Sequence, residues 1–210
     1  MTSPRAFRSL ALSSLLALAA CGASGNHPGM DGGACDPAKY PCGPYGYSVG
    51  STVGDLTLTG RRDLNANGSV LDDPIAPIKL SDYYADKKTE VLFISLATVW
   101  CGPCVNEQPS LVQLYKDYQT AGKGVAFLEA VLQDSAGKPA DMTVVDSWAG
   151  TYSIPFDMAA DPANALAPYY NPSSFPVQLV IKTSNMSLVY QHTSVSTDLK
   201  SVIDGVLANP

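Results

Sequence analysis

The chain has 210 residues, 46% of them apolar, with 13 Lys+Arg against 19 Asp+Glu and a formal net charge of −6. That length holds one domain plus extra segments, and the apolar share is enough for a core. The acidic balance, with no basic run or Lys/Arg stripe, argues against a nucleic-acid-binding protein.

The N-terminus reads MTSPRAFRSLALSSLLALAAC, with Arg5 and Arg8 ahead of an apolar run from Leu10 to Ala20. A positive end, a short apolar stretch and then small residues make a secretory signal over residues 1–20. The run is too short for an ordinary spanning helix. Its end, Leu18-Ala19-Ala20-Cys21, resembles the bacterial lipobox. The resemblance implies cleavage before Cys21, lipidation of that cysteine, and an exported lipoprotein held at a membrane, facing the periplasm or the cell exterior. The alternative is cleavage nearby with Cys21 left as a free thiol. Residues 1–20 carry two positive charges and no acid, which leaves the rest of the chain at −8. Attachment would therefore come from acyl chains rather than from attraction to anionic headgroups.

Residues 21–45 are rich in Gly, Pro and small polar residues and read as a flexible tether. Cys35 and Cys42, in CDPAKYPC, are close enough to close a small disulfide loop, which an oxidising compartment permits. Setting Cys21 aside leaves four cysteines, an even number. A zinc site is the alternative; the wide Cys35/Cys42 spacing and their separate segment speak against it. His27, in the tether, has no second His or acid cluster beside it and reads as solvated.

The globular part spans 46–210. GDLTLTG alternates and reads as an edge strand. DLNANGSVLDD reads as a turn, and KLSDYYA as a short helix capped by Ser81. EVLFISLATVW is almost continuously apolar, as a strand buried on both faces must be. After Cys104, residues Leu111, Leu114, Tyr115 and Tyr118 share one helix face. GVAFLEAVLQD is a second buried strand, with Glu129 inside it lacking any local explanation. DMTVVDSWAGTYS is helical in pattern. FPVQLVIK and MSLVYQH form a hairpin. STDLKSVIDGVL closes the chain as an amphipathic helix with Leu199, Val202, Ile203, Val206 and Leu207 on one stripe. This alternation predicts an α/β sandwich with a mixed sheet.

The chemistry concentrates in TVWCGPCVNEQP, where the first buried strand turns into a helix. At a helix start, Cys101 faces unpaired N–H groups and the positive end of the dipole, which favours its thiolate and makes it the nucleophile. Cys104, one turn on, can attack a mixed disulfide at Cys101 and release the product. Pro103 fits a first turn, where its missing N–H costs nothing. A purely structural disulfide is the bland alternative.

WCGPC after a buried strand, with SFPVQLVI downstream, resembles the thioredoxin superfamily. The combination with the lipobox, the leading β-rich insert and WCGPCVNEQPSL resembles its TlpA/ResA-like branch of exported, membrane-tethered thiol–disulfide oxidoreductases. The resemblance implies a thioredoxin-like three-layer α/β sandwich, a mixed central sheet flanked by helices, with an N-terminal β extension. It implies protein thiol and disulfide substrates, a membrane thiol electron donor, and no cofactor or metal. Residue by residue, it makes Cys101 the attacking and Cys104 the resolving cysteine, and Trp100 the shielding ring. Gly102 and Pro103 complete the motif, Phe175-Pro176 match the cis-proline whose backbone binds substrate, and Pro109 matches a helix-kinking proline. Thioredoxin proper has a buried aspartate where this chain has Ser95. Glu107 matches an acid that the branch places just past the dithiol, and handles the proton there if burial raises its pKa; otherwise it is a solvated surface acid. Gly102-Pro103 is also thioredoxin's pair, so the expected direction is reduction.

Other readings compete. A lipoprotein that kept the fold and binds a soft metal through both thiolates is one, though no Met/His cluster backs the dithiol. A peroxidase of the related redoxin group needs a different pattern around a lone cysteine. Asp63, Asn65, Asn67 and Gly68 mimic half a calcium loop, but Pro74 stands where the bidentate acid belongs, so a hairpin turn is the reading. His192 reads as an ordinary exposed residue. Tyr169 and Tyr170 read as core-rim packing, with a substrate-groove role as the alternative.

Overall fold

All eight residues of VLFISLAT are buried, so this strand, β3 (Val91–Thr98), is covered on both faces. The computed structural model describes residues 35–209. Ahead of β3 come β1 (Thr57–Arg61), β2 (Ala76–Lys79) and α1 (Leu80–Ala85). After it come α2 (Gly102–Thr120), β4 (Val125–Gln133), α3 (Met142–Tyr152), β5 (Asp157–Ala160), β6 (Val177–Lys182), β7 (Ser187–Thr193) and α4 (Leu199–Leu207). The strands form one mixed sheet in the order β2-β1-β5-β4-β3-β6-β7. β3 and β4 are parallel, as are β4 and β5, whereas β6 runs antiparallel to β3 and β7. This is the thioredoxin-like α/β sandwich, extended at one side by the β1–β2 hairpin.

Parallel neighbours need a crossover, and right-handed crossovers through α2 and α3 lay both helices on the same face of the sheet. Aromatic rings fill the space beneath α2. Phe127 on β4 lies opposite Phe93 on β3, and its ring meets those of Phe93, Tyr115 and Tyr118 at 5.0, 5.5 and 6.3 Å. Phe156 adds a further contact at 5.5 Å. α2 begins with Cys101 as N-cap and Pro103 in its first turn. It ends where Gly122 takes φ +61, a left-handed conformation that glycine adopts without a Cβ clash. α3 is capped by Asp141, whose Oδ1 accepts from the N–H groups of Thr143 and Val144.

Four expectations change. GDLTLTG is not an edge strand: β1 lies between β2 and β5, and the edge is β2, whose Pro77 suits an edge because it cannot donate to a ladder. β5, only four residues long and made of DMAA, carries no alternation that a sequence reading can find. Ser81 does not cap α1; Lys79 occupies that position and its N–H donates to Asp82 Oδ2 at 3.0 Å. The tether expected over 21–45 does not hold for its described part, because the segment from Cys35 onward is anchored. Cys35 and Cys42 are disulfide-bonded, Tyr40 is buried and donates to Val53 O at 3.0 Å, and Tyr84 donates to Pro37 O. Residues 1–34, with the expected signal, Cys21 and His27, lie outside the described residues.

The DLNANGSVLDD segment is a turn. Both oxygens of Asp63 are spent on the main chain, accepting from the N–H groups of Asn67 and Gly68 at 3.1 and 3.0 Å. Phe127→Ala is expected to cost about 3–5 kcal/mol in urea unfolding, because the ring's aromatic neighbours cannot close the cavity. Leu64→Ala, at a side chain 68% exposed, is expected to stay within about 0.5 kcal/mol.

Candidate active site

β3 delivers the dithiol. Its last residue, Thr98, accepts the Cys101 N–H at 3.1 Å, and Cys101 then caps α2 with its Sγ accepting the Cys104 N–H at 3.1 Å. Cys101 and Cys104 are joined as a disulfide. Cys104 is fully buried and Cys101 nearly so. An N–H directed at Cys101 Sγ, together with the dipole of a nineteen-residue helix, stabilises a thiolate there once the disulfide opens.

The wall beside the dithiol is aromatic. The Phe175–Pro176 peptide bond is cis, and the Phe175 ring meets Trp100 edge-on at 5.8 Å and Tyr170 at 5.3 Å. Trp100 is 44% exposed and is fixed by its Nε1–H, which donates to Gln133 Oε1 at 2.8 Å. It is thus a ledge rather than a lid. The Pro176 carbonyl accepts from Ser194 N–H at 2.8 Å. Tyr169 is buried and stacks edge-on against Tyr47, so it belongs to the core, whereas Tyr170 reaches the ledge. His192 is only half exposed and its ring stacks on Tyr190 at 5.9 Å.

Beneath the dithiol lies a polar layer. Ser95 on β3 is in register with Glu129 on β4 and with Gln178 on β6, so the three side chains share one row on one face. Glu107 and Gln108 of α2 come down onto that row. Gln178 Nε2 donates to Glu107 Oε2 at 3.0 Å, and Gln108 Nε2 donates to Glu129 Oε1 at 2.7 Å and to Cys104 O at 3.0 Å. All five residues are buried. Glu107 is therefore not a solvated surface acid. Burial pushes its carboxyl up to about 7, against the pull of Gln178 and the neighbouring Ser95 hydroxyl. Burial pushes Glu129 up to about 8, with the Glu107 charge adding to the rise and Gln108 opposing it. Glu107 Oε1, Glu129 Oε2 and Ser95 Oγ have no hydrogen-bond partner among the described residues.

Sequence reasoning brings together Cys101, Cys104, Trp100, Gly102, Pro103, Glu107, Phe175 and Pro176, and all of them lie around this strand-to-helix junction or on the loop facing it. It misses Gln108, Gln133 and Gln178, and leaves Glu129 unexplained. The available signal was a single polar residue interrupting each of three buried strands: Ser95, Glu129 and Gln178. Among the described residues, no group of three or more His, Cys, Asp or Glu side chains could hold a metal ion.

Both glutamates titrate higher in the folded chain than the ordinary 4.5. Such groups favour folding fully below the unfolded value, and that contribution is lost as pH rises through about 7 for Glu107 and about 8 for Glu129. Wild type is thus expected to lose stability between about pH 4.5 and about pH 8, by an amount on the order of kcal/mol. The double variant Glu107→Gln, Glu129→Gln is expected to lose much less. Urea midpoints at both pH values measure it, and equal losses would show that the carboxyls are solvated.

Residues 49–184 match the AhpC/TSA family model. The chain is 24% identical over 160 residues to the thiol–disulfide oxidoreductase ResA of Geobacillus kaustophilus, covering 76% of this chain and 78% of that one. Among solved structures, it is similar to a secreted thiol–disulfide isomerase of Corynebacterium glutamicum, with 16% identity, 76% and 86% of the two chains covered, and a TM-score of 0.54. It is also similar to the exposed lipoprotein thioredoxin of Streptococcus pneumoniae, with 20% identity, 75% and 100% covered, and a TM-score of 0.51. With the family model spanning well over half its length, this chain belongs to the AhpC/TSA family of thioredoxin-like proteins.

Proposed function

We propose that this protein is a thiol–disulfide oxidoreductase that exchanges its Cys101/Cys104 dithiol with protein disulfides outside the cytoplasm, acting as a reductant. One observation carries the reading: the disulfide sits at the N-terminus of α2, beside a cis-proline loop. Cys101 is the nucleophile. Its thiolate attacks a substrate disulfide; one sulfur leaves as a thiolate and the other forms a mixed disulfide with Cys101. Cys104 then loses its proton and attacks Cys101 Sγ. The internal disulfide forms, the second substrate sulfur leaves and is protonated, and two electrons have passed to the substrate.

Glu107 is the group that takes the Cys104 proton. It lies one turn past Cys104, is buried, and has one oxygen free. With its carboxyl near neutrality it can both accept and return a proton at working pH. Trp100, Gly102, Pro103 and the Phe175-Pro176 backbone form the surface on which an extended substrate segment lies. The aromatic ledge gives such a segment an apolar contact, in keeping with the enrichment of exposed aromatics where partners bind.

A reductant outside the cytoplasm needs electrons, and a membrane thiol carrier is the proposed donor. Residues 1–20 as a signal and Cys21 as the lipid anchor agree with this placement, as do the secreted and exposed relatives. Among the described residues, no helix is long and apolar enough to cross a membrane.

Insulin reduction with dithiothreitol as donor tests the activity: wild type is expected to accelerate it, and Cys101→Ala to fall to the uncatalysed rate. Equal rates for the two would sink the enzyme reading. Cys104→Ser is expected to accumulate a mixed disulfide through Cys101, read by mass spectrometry of trapped partners. The potential of the dithiol, measured in glutathione buffers, is expected to lie near that of thioredoxin, about −270 mV; a value near about −120 mV would reverse the direction to oxidation. The family match makes peroxide reduction the second reading, and turnover of hydrogen peroxide faster than that of insulin would favour it.

A further inference from the structure

Glu129 stands in the middle of β4 with no exposed surface, and the exchange chemistry above does not use it. A carboxyl at such a position is costly unless it is neutral or paired. Among the described residues it has no cationic partner. The groups facing it are Glu107 and Gln108 from α2, Ser95 from β3 and Met158 from β5 by register, and Trp148 from α3. Among these, Glu107 is the ionisable one. What Glu129 does have is a short route to the main chain of Cys104. The Gln108 amide nitrogen carries two hydrogens, and both are committed, one to Glu129 Oε1 at 2.7 Å and one to Cys104 O at 3.0 Å.

We propose that Glu129 is a positioning residue for the dithiol: with Glu107 it keeps a single proton in the buried layer, and through Gln108 it ties that proton to the main chain at Cys104. The proposal rests on the reading of Cys101/Cys104 as a working dithiol. Two carboxyls that share one dry layer resist being ionised together, so the first proton lost leaves a pair with one negative charge and one proton. That pair is the base for Cys104. When Cys104 gives up its S–H proton, the proton passes to the free Oε1 of Glu107, and the pair goes from one proton to two. The Cys104 thiolate attacks Cys101 Sγ, the Cys101–Cys104 bond forms, and the bond from Cys101 to the substrate sulfur breaks. The departing thiolate takes a proton back, and the pair returns to one. Without the Glu129 carboxyl, Glu107 titrates alone.

The test is the pH profile of the resolving step. Wild type, Glu129→Gln and Glu107→Gln are each loaded with a glutathionyl mixed disulfide at Cys101, and release of glutathione is followed by stopped flow. Glutamine keeps the size of Glu129 and an oxygen for Gln108, so a merely structural role leaves the profile unmoved. Wild type is expected to show two carboxyl inflections. Glu129→Gln is expected to keep one, to lose the upper, and to release glutathione about tenfold more slowly near neutrality, within the range general base assistance supplies. A Glu129→Gln profile that superimposes on wild type overturns the proposal while leaving the dithiol reading intact. Failure of wild type to release glutathione at all overturns both. Should Glu129→Gln not fold, infrared spectra of wild type across the same pH range decide: a protonated buried carboxyl persisting at neutral pH is expected, and its absence overturns the proposal.

Discussion

A carboxylate moved out of water must find compensation in charge or hydrogen bonds, or else take up a proton, and two carboxyls lie in the dry layer between α2 and the sheet. Among the described residues, neither Glu107 nor Glu129 meets a cation there. Each meets an amide, Gln178 for the first and Gln108 for the second. Amide donors stabilise the ionised forms only in part, so both acids are held near neutrality. The surrounding architecture keeps that layer closed. Apolar strands wall it below, the aromatic cluster of Phe93, Phe127, Tyr115, Tyr118 and Phe156 closes one end, and the buried disulfide closes the other.

The same packing makes the site asymmetric. Cys101, at the N-cap, receives an N–H and the helix dipole; Cys104, one turn deeper, rests above the acids. Cys101 is thus served from the backbone, and Cys104 from the side chains below. The aromatic ledge of Trp100, Phe175 and Tyr170 belongs to the outer side. Its position is fixed by Gln133, the last residue of β4, so strand, helix and ledge are all referenced to the β3–β4 pair.

How much of this the sequence shows depends on how local each signal is. WCGPC is compact, and its meaning follows from a strand before it and a helix after it, both strongly patterned. Glu107 is found by its match to the acid that the resembled branch places just past the dithiol, but its burial is not, because spacing cannot say what lies opposite. Glu129 stands out only as an acid inside an apolar run. Gln178 and Ser95 stand out even less, since a single polar residue in a strand has many ordinary explanations. β2 and β5 escape for a similar reason: four residues each, one set containing proline and the other half alanine, carry too little periodicity to register.

The sequence by itself determined the α/β class and a CxxC pair at a strand-to-helix junction, because these rest on residue type and on spacing within well-patterned elements; the match of Phe175-Pro176 to a cis-proline came from the resemblance to thioredoxin. Tertiary structure alone decided that Glu107 is buried, that Glu129 shares its layer, and that Gln108 connects that layer to Cys104. Those facts arise from the register of three strands, in which Ser95, Glu129 and Gln178, far apart in the chain, fall on one row. Register is set by how whole strands pack, and desolvation by everything packed around them, so neither is written in any one stretch of residues.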